Sequence, residues 1–339
     1  MENIKIDKLS KKDFQVDQPV KWCAGCGSYS ILSAVQNALP EIGVKKEDIV
    51  FISGIGCSSR FPYYMETYGF HTLHGRANPI ATGTKLANPD LSVWVVTGDG
   101  DSMAIGGNHF IHVLRRNIDL NIILLNNQIY GLTKGQYSPT SKLGQITKTS
   151  PYGTIEPPFH PCELVIGAQG KFFARSIDNN VKLTTEILLE AEKHKGTSLV
   201  EVLQNCVIYN DKTFGYLTDR EHKKDRQIVL RHGEPMIFGK DMDKGIILDG
   251  LKLKVVKLGE DGLTEKDVLI HDALEPNPIV HLLLGNMNYP DFPIALGVIR
   301  SVKADTYEVN LDKQIADVKA ASPIKTINDL LHSGNIWKV

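Results

Sequence analysis

The chain has 339 residues, 42% of them hydrophobic, and 38 Lys and Arg against 39 Asp and Glu give a net charge of −1. That is enough chain to bury a full core in one large domain or two unequal ones, and it carries too little positive field to favour nucleic acid as a partner. No run approaches the ~18 consecutive apolar residues of a membrane span, and Met1-Glu2-Asn3-Ile4-Lys5-Ile6-Asp7-Lys8 lacks an apolar signal core, so a cytoplasmic location without membrane contact is expected. The five cysteines do not make a disulfide framework at this size and are expected to be metal ligands or core thiols.

Residues 1–20 are charged and without period, as expected of a surface arm. Trp22-Cys23-Ala24-Gly25-Cys26-Gly27 is a tight glycine-rich loop. After it, Ser28 caps a helix with Ile31, Val35 and Leu39 inward and Pro40 as its stop. Asp48 to Ile55 reads as a strand running into Gly54-Ile55-Gly56-Cys57-Ser58-Ser59-Arg60. Small residues there let backbone N–H groups approach a phosphate or a cluster. His71-Thr72-Leu73-His74-Gly75-Arg76 follows, then a helix from Ala81. Leu91 to Thr97 is apolar and β-branched, a buried strand that stops at Gly98-Asp99-Gly100-Asp101. Phe110, Val113 and Leu114 mark the inner face of a helix ending near Asn117. A second buried strand, Ile122 to Leu125, ends at Asn126-Asn127.

Gly131 to Pro161 is rich in Gly, Pro, Ser and Thr, and so long a connection without period is usually functional. A strand over Phe172–Ser176, a helix over Leu183–His194 and a last strand over Leu199–Leu203, ending near Cys206, complete the alternation. Alternating strands and helices over 45–206 predict an α/β fold with a doubly wound parallel sheet. From about Tyr216 the character changes: a charge run at Arg220–Arg231, a small β unit at Ile246–Leu258, and helical spacing over Val309–Ala321 through Leu311, Ile315 and Val318. The expected division is an arm at 1–20, a main domain at 21–219 and a mixed, mostly structural extension at 220–339.

Two parallel strands joined by a helical crossover bring Asp99 and Asn127 to one sheet edge, where α/β proteins bind ligands. A carboxylate, an amide oxygen and backbone carbonyls make a hard-oxygen site suited to magnesium, which shares its shell readily with a phosphate. Cys57 and Cys206 lie at predicted strand ends on that edge, and Cys23 and Cys26 form a C-x-x-C. A structural zinc, a redox dithiol using Cys23 and Cys26 alone, and an iron–sulfur cluster using all four are equally open from spacing. Cys162 is expected to be a buried or loop thiol. His109 and His112, an i, i+3 pair with no acidic partner, are expected on a helix face.

In order, Trp22-Cys23-Ala24-Gly25-Cys26-Gly27, Gly54-Ile55-Gly56-Cys57-Ser58-Ser59, His74-Gly75-Arg76, Gly98-Asp99-Gly100-Asp101, Asn127 to Gln136 and Cys206 closely resemble the beta, thiamine diphosphate-binding subunit of the 2-oxoacid:ferredoxin oxidoreductases. The resemblance spans about 15–215 and continues more weakly in Phe292 to Arg300. It implies that 21–219 binds thiamine diphosphate and iron–sulfur, with Cys23, Cys26, Cys57 and Cys206 on a [4Fe–4S] cluster. Asp99, Asn127 and the Ile129 carbonyl would hold Mg2+ on the diphosphate. Ile55, Gly56, Cys57, Ser58, His74, Gly100, Asp101, Gly131 and Leu132 would contact the cofactor.

The implied reaction is oxidative decarboxylation of a 2-oxoacid with coenzyme A, electrons passing through the cluster to ferredoxin. The glutamate that such enzymes place on the aminopyrimidine comes from the alpha subunit in two-chain members of the family, and Glu66 is the only nearby candidate here. Activity is therefore expected only with an alpha subunit. No catalytic residue is assigned within the chain, but Arg60 and Lys134 flank the predicted site, and either cation suits the second carboxylate of 2-oxoglutarate better than pyruvate or a branched-chain 2-oxoacid. A cluster-free thiamine-dependent decarboxylase is the first alternative. The second is an electron-carrier subunit with a decayed cofactor site, against which Asp99 and Asn127 both stand.

Overall fold

The structure is a computed structural model that describes residues 9–337; the first part of the expected arm, 1–8, lies outside it. Six parallel strands form the centre of the main sheet: β1 (Ile49–Ser53), β2 (Tyr68–His71), β3 (Ser92–Gly98), β4 (Asn121–Asn126), β5 (Phe172–Ile177) and β6 (Ser198–Leu203). β1, β4, β5 and β6 are buried at every position, the mark of a strand covered on both faces. On one face, helices α1 (Ser28–Ile42) and α6 (Val181–Lys193) pack through Ile31, Val35, Ile187 and Leu188. On the other lie α2 (Ala77–Ala87), then, beyond α3 (Asp99–Met103), α4 (Gly107–Arg116) and α5 (Pro161–Gly167), contributing Ala81, Phe110, Val113 and Val165. The doubly wound parallel arrangement expected from the alternation is present.

The C-terminal part is less separate than expected. Strands β7 (Gln227–Leu230) and β11 (Ile294–Ser301) extend the same sheet, in the order β2-β1-β3-β4-β6-β5-β11-β7. β11 runs antiparallel to β5, and β7 runs parallel to β11. The boundary at 219/220 therefore does not fall at a break in the sheet, because β5 would otherwise expose a hydrogen-bonding edge. Only β8 (Ile237–Phe238), β9 (Lys244–Asp249) and β10 (Lys252–Lys257) form a sheet of their own, which includes the β unit expected at 246–258.

Three local expectations change. Within the expected arm, Phe14 is fully buried and Gln15 bridges Met65, so the part from Leu9 onward packs on the core rather than standing free. The ring's apolar area outweighs the flanking charges. Pro40 does not stop α1, which runs two residues further to Gly43, a left-handed cap at φ 76°. The helix at Tyr307–Ala321 exists, but its apolar stripe is not a core face: Ile315 is 42% and Val318 63% exposed. Among the described residues, no helix is long and apolar enough to cross a membrane.

Candidate active site

The register of the parallel strands sets the site. Gly98 pairs with Leu125, and Asn126 with Leu203, so β3, β4 and β6 end level. Asp99, Asn127 and Gln204 follow directly, around one mouth at the carboxyl edge, with the loop after β1 opposite. A cavity of about 440 Å³ opens there. Every residue expected at the cofactor or magnesium lines it: Ile55, Gly56, Cys57, Ser58, His74, Asp99, Gly100, Asp101, Asn127, Ile129, Gly131 and Leu132. Ile105, Tyr130, Thr133, Gln136 and Gln204 line it too and were not anticipated.

Asp99 is buried, and burial pushes its carboxyl up from the usual carboxylate range, against hydrogen bonds that act downward. Ser138 donates to Oδ2 at 2.5 Å and Thr140 at 2.6 Å. Both come from the long loop after β4, so that segment clamps the acid. Thr140 Oγ1 also stands 3.0 Å from Asn126 Oδ1, and its single proton serves one acceptor at a time. Asn126 in turn donates to Glu201 at 2.7 Å, and Glu201 pairs with Arg175 at 2.7 Å, a fully buried ion pair whose guanidinium also reaches the Gly285 carbonyl at 3.1 Å. The two adjacent asparagines thus divide: Asn127 faces the cavity, and Asn126 faces a polar network through the sheet.

Asp101 holds the opposite wall. Its Oδ1 accepts the Gly75 N–H at 2.8 Å and its Oδ2 the Thr97 hydroxyl at 3.1 Å. A Cβ on Gly54 would lie 1.8 Å from Oδ2, so only glycine lets the β1 loop close on this carboxylate. Burial raises the Asp101 carboxyl as well. Tyr130 donates to the Gly100 carbonyl at 3.0 Å, and burial followed by the charges of Asp99 and Asp101 pushes its phenol up to about 12, so it stays a donor.

The four expected thiols converge beside this cavity. A Cβ on Gly131 would meet Cys206 Sγ at 3.5 Å and Cys57 Sγ at 3.7 Å, so both sulfurs lie against Gly131, a residue of the cavity wall. Burial raises Cys26 and takes Cys57 up to about 11; in both, the charges of the other thiols of this group push the same way. Trp22 Nε1 donates to the Cys57 carbonyl at 2.8 Å, tying the C-x-x-C loop to the β1 loop, and Gln204 Nε2 approaches Cys26 Sγ at 3.6 Å. Asn210 Nδ2 donates to the Asn127 carbonyl at 2.9 Å, linking the turn after Cys206 to the magnesium candidates. Among the described residues, no three His, Cys, Asp or Glu close on a point suited to a single metal ion. Cys162 stands apart, buried in α5, where desolvation pushes its thiol up to about 12. His109 and His112 sit half-buried on α4.

Arg60 is exposed and does not line the cavity; its guanidinium bonds the Lys21 carbonyl at 3.4 Å. Expected beside the substrate carboxylate, it stands in the helical turn after Cys57, outside the lining of the cavity. Lys134, exposed and next to the lining residue Thr133, stands at the rim. Glu66 is exposed, its N–H bonded to the Phe14 carbonyl, and no glutamate lines the cavity.

Residues 54–202 match the family model described as thiamine pyrophosphate enzyme, C-terminal TPP binding domain. The chain is 48% identical over 331 residues to 2-oxoglutarate oxidoreductase subunit KorB of Mycobacterium tuberculosis, covering 97% of this chain and 88% of that one. It is also 48% identical over 207 residues, 60% of this chain and 68% of the other, to the 2-oxoacid:ferredoxin oxidoreductase subunit beta of Saccharolobus solfataricus. Its structure superposes on a 2-oxoglutarate:ferredoxin oxidoreductase of Magnetococcus marinus, described with 2-oxoglutarate, coenzyme A and succinyl-CoA bound, with a TM-score of 0.78, 30% identity and 98% of both chains covered. With the thiamine pyrophosphate domain in place and relatives of this kind along nearly its whole length, the chain belongs to the beta-subunit family of the 2-oxoglutarate and 2-oxoacid:ferredoxin oxidoreductases.

Proposed function

We propose that the chain works with an alpha subunit as a 2-oxoglutarate:ferredoxin oxidoreductase, converting 2-oxoglutarate and coenzyme A to the acyl-CoA and carbon dioxide in the reducing cytoplasm, with ferredoxin as electron acceptor. The observation that carries this is Gly131, a residue of the cavity wall that lies against the Cys57 and Cys206 sulfurs. When bound, thiamine diphosphate supplies a nucleophilic carbon and an electron sink, and a [4Fe–4S] cluster supplies one-electron steps.

The residues fit both groups. Magnesium takes one or two carboxylates and completes its shell with phosphate and water, so Asp99 with the Asn127 and Ile129 oxygens is a sufficient donor set. Divalent charge there offsets the cost of burying the Asp99 carboxylate. A cationic centre at the thiols would likewise offset the raised Cys26 and Cys57 pKa values. Cys23, Cys26, Cys57 and Cys206 would be those ligands. His74, Gly100, Asp101, Leu132 and Ile55 to Ser58 would shape the cofactor's berth, and the Tyr130 phenol pins the Gly100 carbonyl at its wall.

Among the described residues no glutamate lines the cavity, and Asp99 and Asp101 are engaged at its walls, so the acid on the aminopyrimidine would come from the partner subunit. Lys134 at the rim is the candidate for the distal carboxylate of 2-oxoglutarate. Anaerobic purification with iron, sulfide and thiamine analysis, then a 2-oxoacid panel with a dye acceptor, tests the reading. Iron and sulfide in equal amounts near four per chain, and CoA-dependent activity only after the alpha subunit is added, are expected. A colourless preparation, or decarboxylation by the chain alone, overturns it. Lys134→Met should weaken use of 2-oxoglutarate more than of pyruvate; equal losses remove Lys134 from the assignment.

A further inference from the structure

The thiol group also borders a second cleft. Cys23, Ala24 and Gly25 are exposed, and the cleft, of about 490 Å³, runs from Gly25 and Cys26 to Asn205 and Lys212. The segments that frame the thiols are 20–30, 56–63 and 205–214. They carry three cations, Lys21, Arg60 and Lys212, and one carboxylate, Asp211, in a chain whose overall charge is −1; a further carboxylate, the buried Asp178, lines the cleft itself. None of the three cations joins an ion pair among the described residues. The bond from Arg60 to the Lys21 carbonyl sets two of them side by side, while the Lys212 backbone is fixed by Asn205 at 2.8 Å across the cleft. Ile208, 58% exposed, and Tyr29, 38% exposed, add apolar area beside the charges.

We propose that this face is the docking surface for a small acidic one-electron redox protein, which approaches over Cys23 to Gly25 and is steered by Lys21, Arg60 and Lys212. The inference rests on the reading of the thiols as cluster ligands. A 2-oxoacid anion and a thiol give a thioester, carbon dioxide, one proton and two electrons, so two oxidised carriers must dock in turn, each leaving with one electron. A surface that turns over in this way is better served by exposed charge than by a large apolar contact, because rim charges act mainly on the association rate. None of the three cations lines the cavity.

The test uses the enzyme reconstituted with its alpha subunit, a purified acidic ferredoxin and, separately, methyl viologen. The double variant Lys21→Glu, Lys212→Glu should lower kcat/KM for ferredoxin about tenfold at low salt, the gap to wild type closing as salt shortens the screening length, with kcat for methyl viologen not reduced. Unchanged kinetics with ferredoxin overturn the docking surface. If the double reversal also impairs viologen reduction, the neutral pair Lys21→Gln, Lys212→Gln decides by the ferredoxin KM alone: a rise supports the surface and no rise overturns it. Wild-type enzyme that reduces neither acceptor refutes the functional reading itself, a result distinct from either outcome of the variants.

Discussion

Asp99 is held by Ser138 and Thr140 in a place where its charge is costly, and that cost gives it a measurable signature. Thiamine diphosphate with magnesium, at about a hundredfold excess over Kd, should raise the thermal midpoint by roughly 3–8 °C. Asp99→Asn should abolish that shift while leaving the ligand-free midpoint unchanged or higher, since the amide is cheaper to bury. A retained shift in the variant would remove Asp99 from the metal site. Glu201 carries a different load. It neutralises Arg175 within the sheet, so Glu201→Ala leaves an uncompensated buried cation and should cost about 3–5 kcal/mol, seen as a lower urea midpoint with unchanged slope. Neither neighbour of Asp99 was legible in sequence, because Ser138 and Thr140 look like any polar loop residues until the loop folds back over the strand end.

At the scale of elements, the end of α6 shows a helix terminus tuned by packing. His194 caps α6, its ring lies 5.2 Å from that of Phe172, and its buried Nε2 has no partner among the described residues. Burial holds its pKa down at about 4 from the ordinary 6.5. In that window the unfolded chain binds a proton that the folded chain does not, so stability falls as pH drops from 6.5 toward 4, by about 3 kcal/mol at most from this group. His194→Phe removes the component: its stability deficit relative to wild type should shrink between pH 7 and pH 4.5 in urea unfolding. A gap independent of pH would contradict the assignment. The strands themselves were readable, because runs such as Ile122–Leu125 are apolar at every position, and the glycine and asparagine breaks that follow them mark the carboxyl edge.

For the whole molecule, the question is what the C-terminal third supports. β11 lies between β5 and β7, and Gly285 accepts the Arg175 guanidinium, so the network from Asn126 continues into that third. Truncation after Asp219 should therefore give insoluble or unfolded protein rather than a free cofactor domain. Truncation after Asn310, which keeps the Glu308 bond to the Asp119 N–H at 2.9 Å, removes mainly exposed helix and should change the midpoint by no more than about 2 °C. A soluble, cofactor-binding 1–219 fragment would show the sheet to be complete without β11.

The residues at the site were written in local patterns: glycines where backbone closes on a carboxylate, a C-x-x-C, an Asp and an Asn at the ends of two apolar strands. Short-range sterics and the polarity of strand ends fix such features without reference to the rest of the chain. Pairing partners are another matter. That β11 returns antiparallel to β5, that Phe14 fills the core, that Arg60 turns outward and Lys134 stays at the rim, and that an apolar stripe at Ile315 and Val318 faces outward all depend on surfaces far apart in sequence. An apolar period declares that a face can be buried; only the assembled sheet decides what remains to bury it.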